Sequence, residues 1–286
     1  MRRTMLYLPG NNPNMLTRGY LFGSDGIILD LEDAVAMVEK DTARILVSKY
    51  LQQGEFGDCY VSVRINGIDT EYWKDDLAAI VPNKRLDGIR VPKVEDENTV
   101  KIIDEELSRL EEQNGLPVGK LSLHCLLETA HGIWNAYEIA KASPRIEAII
   151  PGGEDLRADL KTNRSDDSTE LEWARRMLVF AARAAGVEPL DTVFARITDD
   201  EGLRKETEFI KQLGFSGKSI IHPNQIKIIH DIFNPTEQEI AKAQKIIAAA
   251  KEAAARGQGA VTVDGKMVDI PVVKRAEYTL VRAGLA

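Results

Sequence analysis

The chain has 286 residues, 44% hydrophobic and 29% charged, a globular composition whose length suits two small domains or one large α/β unit. Its 45 acidic and 37 basic side chains leave a net charge of −8, which argues against a general nucleic-acid binder. Two cysteines inside apolar runs, Cys59 and Cys125, read as buried free thiols; with no bilayer-length apolar run and no signal peptide, a soluble, cytoplasmic protein without membrane partners is expected.

Short runs rich in Val, Ile and Leu, bounded by Gly or Pro, predict strands at Met5–Leu8, Gly26–Leu31, Tyr60–Ile65, Gly88–Val91, Leu121–Leu127, Ala148–Ile150, Thr192–Ala195 and Ser219–Ile221. Amphipathic stretches at Glu39–Leu51, Asn98–Gln113, Ile133–Lys141, Glu170–Ala185 and Leu203–Leu213 lie between them. Such alternation implies a parallel sheet with right-handed crossovers. Repeats of about 30 residues fit a closed (β/α)8 TIM barrel better than an open doubly wound sheet, the alternative.

The barrel accounts for the chain to about residue 225, so the catalytic domain is drawn as residues 1–232 and a C-terminal extension as 233–286. In the extension, Thr236–Arg256 lacks internal Gly or Pro and predicts a long helix. Gly257–Ile270 predicts a hairpin turning at Asp264-Gly265, and Pro271 can open a last helix, Val272–Arg282. A helix–hairpin–helix tail of this kind is expected to have no core of its own. It would then pack on the barrel or on a neighbouring subunit, making a homo-oligomer the expected state.

Four predicted strands run into charge, at Asp30-Leu31-Glu32-Asp33, Arg64, Glu128 and Gly152-Gly153-Glu154-Asp155. Charges there are costly to desolvate without a metal, partner or ligand, and barrel active sites sit at the carboxyl ends of strands. Glu128 and Asp155, on adjacent strands, suit a hard divalent cation that keeps several waters, and Mg²⁺ fits best; no His/Cys cluster favours zinc. For Glu128 the competing role is a cap on the next helix, where Thr129 and Gly132 also belong. Arg64 suits a substrate carboxylate or a developing enolate oxygen, with a salt bridge to Glu32 or Asp33 as the competing role. Glu32 would orient Arg64 or metal-bound water. Backbone N–H groups around Gly152 and Gly153 could hold a carboxylate. His222 could line the pocket or be structural. Arg2, Arg3, Lys40, Arg44 and Lys93 read as scattered cations, mostly solvated.

At these residues the chain resembles the citrate lyase β-subunit family of the acyl-CoA lyase and aldolase superfamily. The matching blocks are Leu6-Tyr7-Leu8-Pro9-Gly10, Leu29-Asp30-Leu31-Glu32-Asp33-Ala34-Val35 and Val63-Arg64-Ile65-Asn66-Gly67. They continue through Val91-Pro92-Lys93, Leu127-Glu128-Thr129-Ala130, Gly153-Glu154-Asp155, His222-Pro223-Asn224-Gln225 and Gly265-Lys266-Met267-Val268-Asp269.

The resemblance implies a Mg²⁺-dependent barrel lyase that cleaves a carbon–carbon bond of an acyl-CoA by retro-aldol chemistry. The leading substrate is (3S)-citryl-CoA, giving acetyl-CoA and oxaloacetate. It implies metal ligands at Glu128 and Asp155 and a substrate-contacting Arg64; with the residue readings above, Arg64 is expected to be catalytic as well as substrate-binding, and further substrate contacts are expected from Glu128, Gly153, Glu154 and His222. Glu32 joins the catalytic set, as does Asp269, a proton shuttle reaching a neighbouring subunit's site; the residues alone make Asp269 an ordinary turn-flanking acid. Citrate lyase α and acyl-carrier subunits and a trimeric or hexameric assembly are the implied partners. Three segments, Gly152-Gly153-Glu154-Asp155-Leu156-Arg157, Phe194-Ala195-Arg196-Ile197-Thr198-Asp199 and His222-Pro223-Asn224-Gln225, depart from the common β-subunit pattern. They keep citramalyl-CoA lyase, malyl-CoA lyase and a malate-synthase-like thioesterase open. A pyruvate- or phosphoenolpyruvate-type barrel without CoA, and a non-catalytic binding subunit, are more distant alternatives.

Overall fold

In the computed structural model, which describes residues 2–285, eight parallel strands close into a barrel in sequence order. They are β1 (Thr4–Pro9), β2 (Gly26–Asp30), β3 (Tyr60–Arg64), β4 (Gly88–Val91), β5 (Ser122–Leu127), β6 (Ile146–Pro151), β7 (Glu188–Asp191) and β8 (Gly217–Ile220). β8 pairs back onto β1, with Thr4 opposite Lys218, so the open-sheet alternative is excluded. The alternation of buried positions sends Met5, Ile28, Leu126, Ala148, Ile150 and Leu190 into one packed interior cluster. Cys59 and Cys125 are buried free thiols.

Seven strands fall where the hydrophobic runs predict. The seventh does not: Thr192–Ala195 is irregular, and the strand is the preceding Glu188-Pro189-Leu190-Asp191. Its composition hides it, because proline and acids are poor strand formers. The fold neutralises the acid it buries. Asp191 takes a bidentate pair from Arg175 (2.9 Å to each oxygen) and a 2.6 Å contact from Lys218, while Glu206 contacts Lys218 at 2.7 Å. All four side chains are buried, their charges balanced across β7, β8 and the helices Glu172–Ala185 and Asp200–Leu213. The predicted helix Ile133–Lys141 is instead two short ones, Ala130–Trp134 and Ala136–Ala140.

The chain divides into two compact units, one of residues 2–230 holding the barrel and one from Asp231 onward. In the second, the helix Glu237–Ala255 opens on a capping box between Thr236 and Glu239. Strands Val261–Val263 and Lys266–Val268 pair antiparallel across Asp264-Gly265, where positive φ at both residues (49° and 73°) suits the tight turn. The helix Ile270–Arg282 follows. The expectation of a coreless tail is corrected: Ala243, Ile246, Val263, Val268 and Ala276 form a buried cluster of their own. Individually these side chains are too small and too sparsely spaced for the pattern to announce a core. Among the described residues no helix is long and apolar enough to cross a membrane.

Candidate active site

Strand register explains how the charges meet. Asp30 and Arg64 are register partners at the carboxyl ends of β2 and β3. Arg64 grips Asp30 with two 2.7 Å hydrogen bonds, from Nε to Oδ1 and from Nη2 to Oδ2. Its Nη1 reaches Glu32 at 2.8 Å and Asp33 at 3.2 Å. Glu32 thus forms an ion pair with Arg64, although its Oε2 has no hydrogen-bond partner. Asp30, the strongest partner, carries no signal of this pairing in the sequence; only strand register brings it opposite Arg64. Asp30 also accepts the Glu32 and Ala34 amides, which fixes the turn leaving β2.

Arg64, Glu128, Gly153, Glu154 and Asp155 line one cavity of about 350 Å³, together with Tyr7, Asp30, Thr192 and Ser219. Glu128 ends β5 and is not the helix cap; Thr129 is, through its hydroxyl to the Gly132 amide. Instead Glu128 Oε1 accepts the Lys93 amide at 2.6 Å. Lys93 has a φ of 50°, a left-handed conformation uncommon outside glycine, which marks a backbone held in place by its surroundings. Lys40, read as a solvated cation, is buried; its Nζ donates to the carbonyls of Leu31 and Glu32 at 2.8 and 2.7 Å, stiffening the acidic turn. Arg44 likewise secures buried Asp76, which accepts both the backbone and side-chain N–H of Asn66 just past Arg64.

Burial pushes the Glu128 carboxyl up to about 7, with the neighbouring Asp155 charge adding to the rise. Burial also drives Glu32 up to about 8, against the opposing pull of Arg64. Glu128 and Asp155 could hold a cation, whose charge would offset the cost of their proximity. Among the described residues no group of three or more His, Cys, Asp or Glu forms a metal cluster. A two-carboxylate donor set fits Mg²⁺, which binds through one or two carboxylates and retains water.

Gly152 makes room for this arrangement. A Cβ there would stand 2.7 Å from Glu128 Cβ and 2.9 Å from its carboxyl carbon. Gly152→Ala is therefore expected to displace Glu128, destabilising the protein by about 1–3 kcal/mol and lowering turnover by about a hundredfold. Thermal unfolding and steady-state kinetics of the variant check this.

Three expectations change. The Gly152 amide donates to Leu127 O and the Gly153 amide to Thr192 Oγ1, both at 3.0 Å, so neither is free to hold a substrate carboxylate. Glu154 faces the cavity rim, but its carboxylate is engaged by Arg157 at 2.7 Å and by Arg164. His222 is not among the lining residues; its Nδ1 accepts the Asn224 amide at 3.2 Å. In the second unit, Asp269 caps the last helix through the Val272 amide at 3.3 Å.

A family model, HpcH/HpaI aldolase/citrate lyase, matches residues 3–223. The chain is 46% identical over 280 residues to the citrate lyase subunit beta of Leuconostoc mesenteroides subsp. cremoris, covering 98% of this chain and 92% of that one. It is 37% identical over 281 residues to a (3S)-malyl-CoA thioesterase of Cereibacter sphaeroides, covering 98% and 94%. Its fold is similar to the crystal structure of protein CitE from Mycobacterium tuberculosis in complex with magnesium, acetoacetate and coenzyme A, with a TM-score of 0.81 at 30% identity over 99% of this chain and 98% of that one. The chain belongs to the HpcH/HpaI aldolase/citrate lyase family.

Proposed function

We propose that this protein is a Mg²⁺-dependent carbon–carbon lyase that splits (3S)-citryl-CoA into acetyl-CoA and oxaloacetate. The observation that carries the reading is the buried Glu128 beside Asp155, facing Arg64 across one cavity at the carboxyl ends of the barrel strands. The similarity to a citrate lyase β subunit, and to a protein crystallised with magnesium and coenzyme A, supports it.

Glu128 and Asp155 hold the cation, which when bound supplies Lewis-acid polarisation of the substrate's hydroxyl oxygen. Arg64 is already fixed by Asp30 and Glu32, so its fork needs no reorganisation to meet negative charge on the substrate carboxylate or the departing enolate. Gly152 and Gly153 contribute room rather than donors. Glu154 sits at the cavity rim with its carboxylate engaged by Arg157 and Arg164, and His222 lies outside the lining, so neither is assigned a substrate contact. Asp269 is the proton shuttle, contributed from a neighbouring subunit of a trimer or hexamer. The enzyme works in the cytoplasm, with α and acyl-carrier subunits of a citrate lyase as its partners.

Purified protein is expected to release acetyl-CoA from citryl-CoA with Mg²⁺ present and to stop on chelation. Absence of cleavage under those conditions overturns the reading. The similarity to a malyl-CoA thioesterase favours one second reading, hydrolysis of malyl-CoA to malate and free CoA. A free-thiol assay on malyl-CoA separates the two. Asp269→Asn is expected to lower turnover by about 10²–10⁴ without changing Mg²⁺ affinity. Unchanged turnover removes Asp269 from the mechanism.

A further inference from the structure

The barrel interior holds a cation that the mechanism above leaves unused. Arg90, on β4, is fully buried, and its guanidinium reaches across to the other side of the barrel. There Nη1 donates to Ser219 Oγ at 2.8 Å and to Tyr7 Oη at 3.2 Å. Its Nε and Nη2 have no hydrogen-bond partner, and among the described residues no carboxylate pairs with it. Arg64 contrasts sharply, being matched by Asp30, Glu32 and Asp33. A permanent charge buried without a counter-ion is costly unless an anion comes to it.

Arg90 does not itself line the cavity, but Tyr7 and Ser219 both do. Each hydroxyl accepts from Arg90, which leaves its own hydrogen free to donate into the cavity. Arg64 also lies over the Tyr7 ring, its guanidinium carbon 4.9 Å from the ring centroid. Apart from Arg64, the charged groups on the wall are the acids Asp30, Asp33, Glu128, Glu154 and Asp155, and much of the remainder is apolar. An anionic substituent entering the cavity therefore has its favourable place beside these two hydroxyls.

We propose that Tyr7 and Ser219, positioned and polarised by Arg90, form a subsite for the substrate's second carboxylate. This rests on the citryl-CoA reading and deepens it. That carboxylate is what citryl-CoA has and citramalyl-CoA lacks, and what oxaloacetate has and pyruvate lacks. The pair of hydroxyls thus selects the acyl group. Sites built to hydrogen-bond a group reject analogues without it far more strongly than apolar pockets do.

The test is calorimetric titration of oxaloacetate and of pyruvate, each with saturating Mg²⁺, into the wild type and into Tyr7→Phe, Ser219→Ala and the double variant. These substitutions remove only the hydroxyls, and because the hydroxyls are also Arg90's two acceptors, thermal unfolding of each variant is measured beside the titration. The wild type is expected to prefer oxaloacetate. The double variant should lose about tenfold to a hundredfold in oxaloacetate affinity while pyruvate stays within about twofold. In turnover, the citryl-CoA to citramalyl-CoA ratio of kcat/KM should fall by a similar factor. Equal weakening of both ligands, or no change in either, overturns the subsite and leaves the lyase reading standing. Failure of the wild type to bind either ligand in a Mg²⁺-dependent way overturns both.

Discussion

Glu128→Gln is expected to remove lyase activity while making the metal-free protein more stable. The substitution keeps the shape of the side chain and the acceptor for the Lys93 amide, so the fold around β5 has no reason to move. It removes the charge that burial and Asp155 both oppose. A carboxyl group raised to about 7 is ionised in the folded protein at pH 8 only at a cost that the unfolded chain, with its ordinary carboxyl, does not bear. Neutralising it should therefore stabilise the chelated protein by about 1–2 kcal/mol at that pH, an advantage that shrinks as the pH falls below the raised value. Losing a metal ligand costs about 4 kcal/mol of transition-state stabilisation, a thousandfold in turnover. Thermal unfolding with and without Mg²⁺, beside the kinetics, checks both halves. A variant that melts lower than the wild type in chelator contradicts the account of the site as mutually opposed carboxylates.

Arg64→Ala is the second large effect, and its sign is the same for folding and for activity. The side chain balances Asp30 and Glu32, both buried, besides Asp33 at the rim. Removing it strands two carboxylates in the barrel mouth, for which about 3–5 kcal/mol of destabilisation is expected. Arg64→Lys keeps a charge but cannot reproduce the two-pronged grip on Asp30 while also reaching Glu32. The lysine variant should fold with a smaller penalty yet lose most of its turnover. Denaturant unfolding of both variants, with citryl-CoA kinetics on the lysine variant, separates the structural share from the catalytic one. Near wild-type kcat/KM in Arg64→Lys would remove the guanidinium from the chemistry.

Much of this was legible in the sequence because a buried parallel strand is written as an uninterrupted apolar run, and a charge at its end has few places to go. Arg64 and Glu128 were visible for that reason, and the alternation of runs with amphipathic stretches was enough to expect the closed barrel. What escaped depended on partners distant in the chain. Glu188–Asp191 pairs with β6 and β8, and its buried Asp191 is neutralised by Arg175 and Lys218, both distant from it in the chain. Lys40 looked solvated because the carbonyls that receive it become available only once the acidic turn has formed. Tyr7 and Ser219 are ordinary strand residues until Arg90 arrives from the other side of the barrel. Asp269 is the limiting case: its local geometry is that of a helix cap, and only the family resemblance marks it for chemistry.

The pairing of Thr4 with Lys218 has a consequence during synthesis. The first strand leaves the ribosome with one side awaiting a partner made near the end of the barrel. At 5–20 residues per second, that side stays open for roughly ten to forty seconds. Through that interval the nascent chain presents an unpaired backbone edge beside the apolar Met5, Leu6 and Leu8, a template for pairing with another chain. Yield in the cell should therefore depend on what shelters the amino-terminal segment during translation, more than on the stability of the finished barrel.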